Sequence, residues 1–182
     1  MNKIFFSLVM LLGTSSCLAE GFHTITTGYA HTNGKSQNLD GGNVKYGYQF
    51  DDSRWGIISS LTGTTDTMTY TTNSNKRDID ISFGSFMLGP SYSFSNYAKL
   101  YVLAGITGLK ADFNEKDENG THIKGTWKGG RSPSAGLGLQ MRVWKGLTLD
   151  ASYEYSHFKG SEDYGIKNFS ANTFIVGAGW MF

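Results

Sequence analysis

Ser156 is followed by His157, and a hydroxyl beside an imidazole is the pair from which nucleophilic catalysis is built. Neighbours in an extended strand point to opposite faces, so this pair is not set up to exchange a proton. His23, His31 and His122 show no serine or acid partner on a shared face, and no His or Cys spacing matches a metal site. No catalytic residue, cofactor or metal ion is expected, because the constellation each would need is missing. Lys124, Lys128 and Arg131, with Trp127 among them, form the clearest cluster of binding chemistry. Cations interleaved with an aromatic suit heparin-like sulfates or phosphates. Asp112, Glu115, Asp117 and Glu118 lie nearby, and a solvated mixed-charge loop is the competing reading.

These residues must be held by something, and the spacing of apolar side chains says what. The final nine residues carry Phe174, Val176, Ala178, Trp180 and Phe182 at every second position, the period of one strand face. Similar alternation marks eight segments: 22–31, 43–50, 55–64, 79–94, 99–113, 134–143, 147–158 and 174–182. Pro90 lacks a backbone donor, so a bulge or ladder break is expected there. Three turns are short (51–54, 95–98, 144–146) and four connections are long and polar (33–42, 66–78, 114–133, 159–170). Short turns at one end and long loops at the other are the pattern of an outer-membrane barrel, with the long loops outside.

Pairing Phe50 with Trp55, Phe94 with Leu100, and Val143 with Leu147 keeps the apolar sets of adjacent strands on one face. The opposite face is polar or small. It holds Lys45, Gln140, Arg142, Asp150 and Glu154, with Gln49, Ser60, Thr62, Ser91, Tyr101, Thr107 and Ser152. Arg142 and Asp150 fall diagonally across one hairpin, within reach of a salt bridge. A barrel this narrow has room for little beyond its own side chains, so these groups are read as a hydrogen-bonded plug and not a channel. Gly136, Gly138, Gly177 and Gly179 fit the same crowded interior better than a phosphate-binding loop. Phe50, Trp55, Phe94, Tyr97, Trp144, Trp180 and Phe182 gather at the short-turn end, as an interfacial girdle would.

Composition and the N-terminus agree with a barrel. Lys3, the apolar run Ile4 to Leu12, and Cys17-Leu-Ala19 make a secretory signal expected to end after Ala19. That leaves 20–182 as one barrel domain. Cys17 invites lipidation, but Thr14 stands where such signals carry leucine. The chain's 1 cysteine leaves with the signal, so no disulfide or thiol chemistry is expected. Loss of Lys3 also balances the basic residues against 15 acidic ones, which gives no reason to expect nucleic-acid binding. Twenty-four glycines, 10 tyrosines and 12 phenylalanines against 2 prolines are unusual for a soluble globule. No later run is long and apolar enough for a transmembrane helix. Asn119 and Asn168 open glycosylation sequons, which are read as incidental in a bacterial outer membrane.

Gly89-Pro-Ser-Tyr92, Leu100-Tyr101 with Ala104-Gly105, Gly136-Leu-Gly-Leu-Gln140, Leu149-Asp-Ala-Ser-Tyr-Glu154 and Val176-Gly-Ala-Gly-Trp-Met-Phe182 resemble, in order, the Ail/OmpX/PagC/Lom family of enterobacterial outer-membrane proteins. The family often ends Gly-Tyr-Arg-Phe; Trp180 keeps the aromatic and Met181 removes an inward charge. The resemblance implies an all-β, eight-stranded antiparallel transmembrane β-barrel in a Gram-negative outer membrane, with short periplasmic turns and four longer extracellular loops. It implies loops that mediate surface interaction, namely host-cell adhesion or invasion and serum or complement resistance. The alternative is a structural envelope protein that affects outer-membrane stability without a dedicated ligand. Implied partners are outer-membrane lipid and lipopolysaccharide, the barrel-assembly machinery through the C-terminal strand, and host matrix or complement regulators; the barrel is expected to be a monomer. Enzymes that act on lipid exist among small barrels, but the residues for such chemistry are absent here.

Overall fold

The computed structural model describes residues 21–34, 38–72, 75–116, 122–128, 130–158 and 169–182, with side chains described outside 68–79 and 111–129. The expected signal segment 1–19 lies outside the described residues. Among the described residues nine strands follow in order: β1 (Phe22–Asn33), β2 (Asn38–Gln49), β3 (Trp55–Thr72), β4 (Asn75–Ser93), β5 (Ala98–Lys116), β6 (His122–Lys128), β7 (Ser132–Trp144), β8 (Leu147–Phe158) and β9 (Phe169–Met181). All pairings are antiparallel, and the order β4-β3-β2-β1-β9-β8-β7-β5 is closed by β4 against β5. Both β6 and β7 pair with β5 at different heights, so together they make one stave of an eight-stave barrel. Closure leaves no open edge within the bilayer, where an unpaired backbone group would cost several kcal/mol.

Alternation along each stave separates the two faces. Ile25, Val44, Ile57, Leu61, Phe86, Leu88, Leu100, Val102, Ile106, Leu137, Leu139, Met141, Leu149, Phe174 and Val176 point outward, while Thr24, Thr26, Lys45, Ser60, Thr62, Ser85, Ser91, Thr107, Gln140, Asp150, Glu154 and Thr173 are buried within. A soluble monomer does not expose so continuous an apolar band; here lipid covers it. Phe50, Trp55, Phe94, Tyr97, Trp144, Trp180 and Phe182 are all exposed, ringing the short-turn end as expected.

The hairpins refine the expected register. Gln49 faces Gly56, consistent with the Phe50–Trp55 pairing, and the Phe50 amide donates to the Trp55 carbonyl at 3.1 Å. Leu100 faces Tyr92 and not Phe94. Residues 94–97 form the wider turn, with the Ala98 amide donating to Ser95 Oγ at 3.0 Å. A shift of two residues preserves the faces, which is why the outward set survived that misalignment. Met141 faces Leu149 as expected, but Leu147 faces Trp144 because the ladder shifts between Arg142 and Trp144. The bulge fits a two-residue turn, Lys145 and Gly146, with φ of 32° and 103°, both in the left-handed region that tight hairpins demand. At Gly89 and Pro90 the ladder to β5 is interrupted, resuming at Ser91–Tyr101 without a register change.

Three of the four expected long loops are largely strand. β3, β4 and β5 run for 18, 19 and 19 residues, while a tilted strand needs only about 9–11 to cross the hydrocarbon. The outer part of the 66–78 connection pairs as Asp66–Ile81 through Thr72–Asn75, and β5 continues against β6 from Lys110–Lys128 to Lys116–His122. The reason is chemical. Thr64, Thr65, Thr67, Thr69, Thr71 and Thr72 are β-branched and favour extended backbone, yet they lack the apolar alternation that marks a lipid-facing strand. A four-stranded sheet, β3-β4-β5-β6, therefore projects beyond the barrel. The β5–β6 and β5–β7 registers differ by one residue, so the extension is offset from the wall below it.

Candidate functional site

Two sets of residues carry chemistry: a buried polar network in the lumen and the projecting sheet outside. The lumen is set by strands whose inward positions alternate with the lipid-facing ones. Lys45 on β2 reaches across it to Asp150 on β8, with Nζ donating to Oδ1 at 2.7 Å and both side chains 1% exposed. Nζ also donates to Asn43 Oδ1 at 2.9 Å, and the Tyr101 hydroxyl donates to Asp150 Oδ2 at 2.9 Å. A Cβ on Gly138 would lie 2.3 Å from the Tyr101 ring, so glycine there is what admits the tyrosine.

Glu154 is held differently. Ser60 and Thr62 donate to Oε1 at 3.1 Å each, Thr62 also lies 3.2 Å from Oε2, and Ser85 donates to Oε2 at 2.9 Å. Asn43 Nδ2 donates to both Ser60 and Thr62 at 2.8 Å, which links the carboxylate to the Lys45 pair. Above it, Thr107, Ser134 and Ser156 bond to one another, and Thr32 bonds to Thr173 and Thr64 at 2.8 and 3.2 Å.

Arg142 does not pair with Asp150. Its guanidinium sits at the short-turn mouth, donating to the Asn96 carbonyl at 2.6 Å and lying 5.7 Å from the Tyr97 ring centroid. Its partner across the ladder is Thr148, while Gln140 faces Asp150. A long cation near the rim gains more from reaching water and a carbonyl than from burial in the lumen, which leaves Asp150 to Lys45. Gln140 is 3% exposed, and its amide atoms have no hydrogen-bond partner among the described residues.

The interior is also less polar than the alternation implied. Leu39, Phe83, Phe158 and Ala171 form a buried cluster toward the outer end, with Ile81, Leu109 and Phe169 packed on it; the Phe83 and Phe158 ring centroids lie 6.1 Å apart. Ile58, Met87, Tyr101 and Leu103 form a second. These residues sit at inward parity, but a short apolar run hides which of its members face a lumen and which face lipid. Two histidines also have partners that spacing did not reveal. His31 Nδ1 lies 2.6 Å from Asp40 Oδ1, where the Tyr29 hydroxyl also donates, and His23 Nδ1 lies 2.8 Å from the Tyr46 hydroxyl. Each pair meets across the β1–β2 ladder, a contact visible only once that register is known. Ser156 faces the lumen, while His157 Nδ1 lies 3.2 Å from Ser170 Oγ on the other face.

Outside, the register aligns the cationic positions of the projecting sheet. Lys128 faces Lys110, Lys124 faces Asn114, and Lys116 faces both His122 and Lys76. Period two gives Lys124 and Lys128 one parity on β6 and Trp127 the other. Thr126 stands opposite Asp112, and Asp112 opposite Asp80, so acids alternate with the cations. Arg131 is exposed just before β7 begins.

Comparison with known proteins agrees with this architecture. A family model described as outer membrane protein beta-barrel domain matches residues 5–182. The chain is 31% identical over 185 residues to the attachment invasion locus protein of Yersinia enterocolitica, covering 97% of this chain and 96% of that one. It is 30% identical to the virulence membrane protein PagC of Salmonella typhimurium, over 88% and 86% of the two chains. The crystal structure of Ail from Yersinia pestis, in complex with the heparin analogue sucrose octasulfate, superposes with a TM-score of 0.71 at 30% identity, over 90% of this chain and 99% of that one. With lipid-facing staves, an aromatic girdle and these relatives, the chain belongs to the outer-membrane β-barrel family of Ail, PagC and OmpX and resides in the bacterial outer membrane.

Proposed function

We propose that the projecting β3–β6 sheet is an adhesive surface for sulfated, polyanionic glycans such as those on host cells. The observation that carries this reading is the register that sets Lys124 and Lys128 at one strand parity and brings Lys110 opposite Lys128. Several cations at strand spacing offer a repeating polyanion several contacts at once, and such binding weakens as salt screens it. The likeness to Ail bound to a heparin analogue supports the same ligand class. Trp127 falls at the other strand parity and is not part of this reading. Arg131 adds charge where the extension joins the barrel.

The test is heparin affinity chromatography and host-cell adhesion with the protein expressed in a non-adherent, serum-sensitive strain. Replacing Lys124, Lys128 and Arg131 together with Ser should lower the eluting salt concentration and reduce adhesion. Unchanged heparin binding at low salt would remove the basis for this assignment. Transplanting residues 114–133 alone onto a non-binding barrel should carry the activity with it.

A second reading has its own support. Asp80 and Asp112 sit among the cations, and the mid-barrel groups Lys45, Asp150 and Glu154 are satisfied by partners within the lumen, as a purely structural envelope protein would require. A deletion strain with normal adhesion and serum survival but altered detergent sensitivity would favour it. Neither reading is enzymatic. Both include a signal peptide over 1–19, delivery by the barrel-assembly machinery through β9, and contact with lipopolysaccharide; binding of host matrix or complement regulators belongs to the adhesive reading alone.

A further inference from the structure

The short-turn mouth opens into a vestibule of about 530 Å³, whose lining includes Gln49, Ser93, Lys99, Gln140, Arg142 and Thr148. Lys99 is 4% exposed, and its ammonium has no hydrogen-bond partner among the described residues. Gln140 faces it across the β5–β7 ladder, equally buried and with its amide unpartnered. Every other buried charge described in the lumen is satisfied: Lys45 by Asp150 and Asn43, Asp150 by Lys45 and Tyr101, Glu154 by three hydroxyl side chains. A buried cation without a partner is costly, so its presence beside a cavity asks for an anion. Arg142 lines the same space; Nη2 donates to the Asn96 carbonyl and Nη1 lies 3.7 Å from Met181 Sδ, which leaves further N–H donors on the guanidinium. The acids of the lining, Asp51 and Asp52, belong to the β2–β3 turn.

We propose that this vestibule is a binding site for a phosphate group, with the Lys99 ammonium as its charge, the Gln140 amide as a second donor and Arg142 at the entrance. It faces the periplasm, at the opposite end from the projecting sheet, and does not depend on the adhesive reading. The phosphate comes either from free inorganic phosphate or from the headgroup of an inner-leaflet lipid.

Amide NMR of the full-length barrel in a sugar-based detergent, titrated with inorganic phosphate at fixed ionic strength, tests it. Saturable shifts are expected for Lys99, Gln140 and the 93–97 turn. Lys99→Met should weaken binding by about ten-fold or more, the scale of a lost charge-assisted hydrogen bond. Lys99→Arg and the remote Gly63→Ala should retain it. Heat-dependent gel migration confirms that each variant is folded, and Gln140→Leu replaces Lys99→Met should the latter fail to fold. In nanodiscs of phosphatidylglycerol without added phosphate, the same residues shift if the lipid is the source and do not if the free ion is. No saturable shift in either setting, or shifts that persist in Lys99→Met, would overturn the proposal and leave the vestibule filled by water alone.

Discussion

Lys45→Met should destabilise the barrel strongly, and the structure supplies the size. At 2.7 Å the Coulomb attraction between Lys45 and Asp150 is about 6 kcal/mol with an effective dielectric constant near 20. Much of that offsets the desolvation of two ions, so the net value of forming the pair is far smaller. Breaking it is another matter, because the surviving carboxylate stays buried with Tyr101 as its remaining donor. The loss should be ~3–5 kcal/mol. Asp150→Leu should cost a similar amount by stranding the ammonium. The double variant, with neither charge, should be less destabilised than the sum of the singles by ~2 kcal/mol, the coupling expected of directly bonded neighbours. Equilibrium urea unfolding in lipid vesicles reads this out through tryptophan emission, since Trp55, Trp144 and Trp180 face outward, with gel migration as a second probe. A Lys45→Met barrel within about 1 kcal/mol of the parent, or strict additivity in the cycle, would show that the pair does not organise the lumen.

Three further outcomes follow from other parts of the wall. A Cβ at Gly179 would lie 1.8 Å from the Ile25 carbonyl oxygen across the β1–β9 seam, whereas one at Gly63 meets nothing within 4 Å; Gly179→Ala should therefore reduce the folded fraction on a gel while Gly63→Ala leaves it unchanged. Leu137→Arg, within the lipid-facing band, should cost ~2–4 kcal/mol, and Trp144→Arg at the rim no more than ~1 kcal/mol, by the same unfolding assay. Phe158→Ala, which opens a cavity in the outer apolar cluster, should cost ~3–5 kcal/mol and admit water to the lumen, visible as faster amide exchange in β8 and β9.

The lipid-facing half of this fold was legible because one physical constraint, alternation against hydrocarbon, acts on every stave at once. A misplaced pairing such as Phe94–Leu100 did no harm, since an even shift keeps Tyr92 and Leu100 on the same face. What pairs with what inside the barrel was not legible. Lys45 and Asp150 are 105 residues apart, on β2 and β8, and their meeting depends on strand tilt and closure, which no local pattern records. Arg142 was placed beside Asp150 by a correct hairpin, but its length lets it leave the lumen for the mouth. The projecting sheet was hidden for the opposite reason: Thr-rich strands in water satisfy their backbone in a ladder without needing an apolar face, so the alternation fades where the membrane ends and not where the strands do.

The lumen explains why the adhesive reading belongs outside. Leu39, Phe83, Phe158 and Ala171 close its outer end with apolar contacts, and beneath them the hydroxyl groups, Glu154 and the Lys45–Asp150 pair bond to one another across staves. A charge entering from outside would have to cross that apolar layer and displace hydrogen bonds already made, which argues against conduction and against a ligand in mid-barrel. A wall held this firmly from within places little demand on the residues of the projecting sheet, beyond backbone pairing. A surface interaction there rests on a frame that the barrel holds independently.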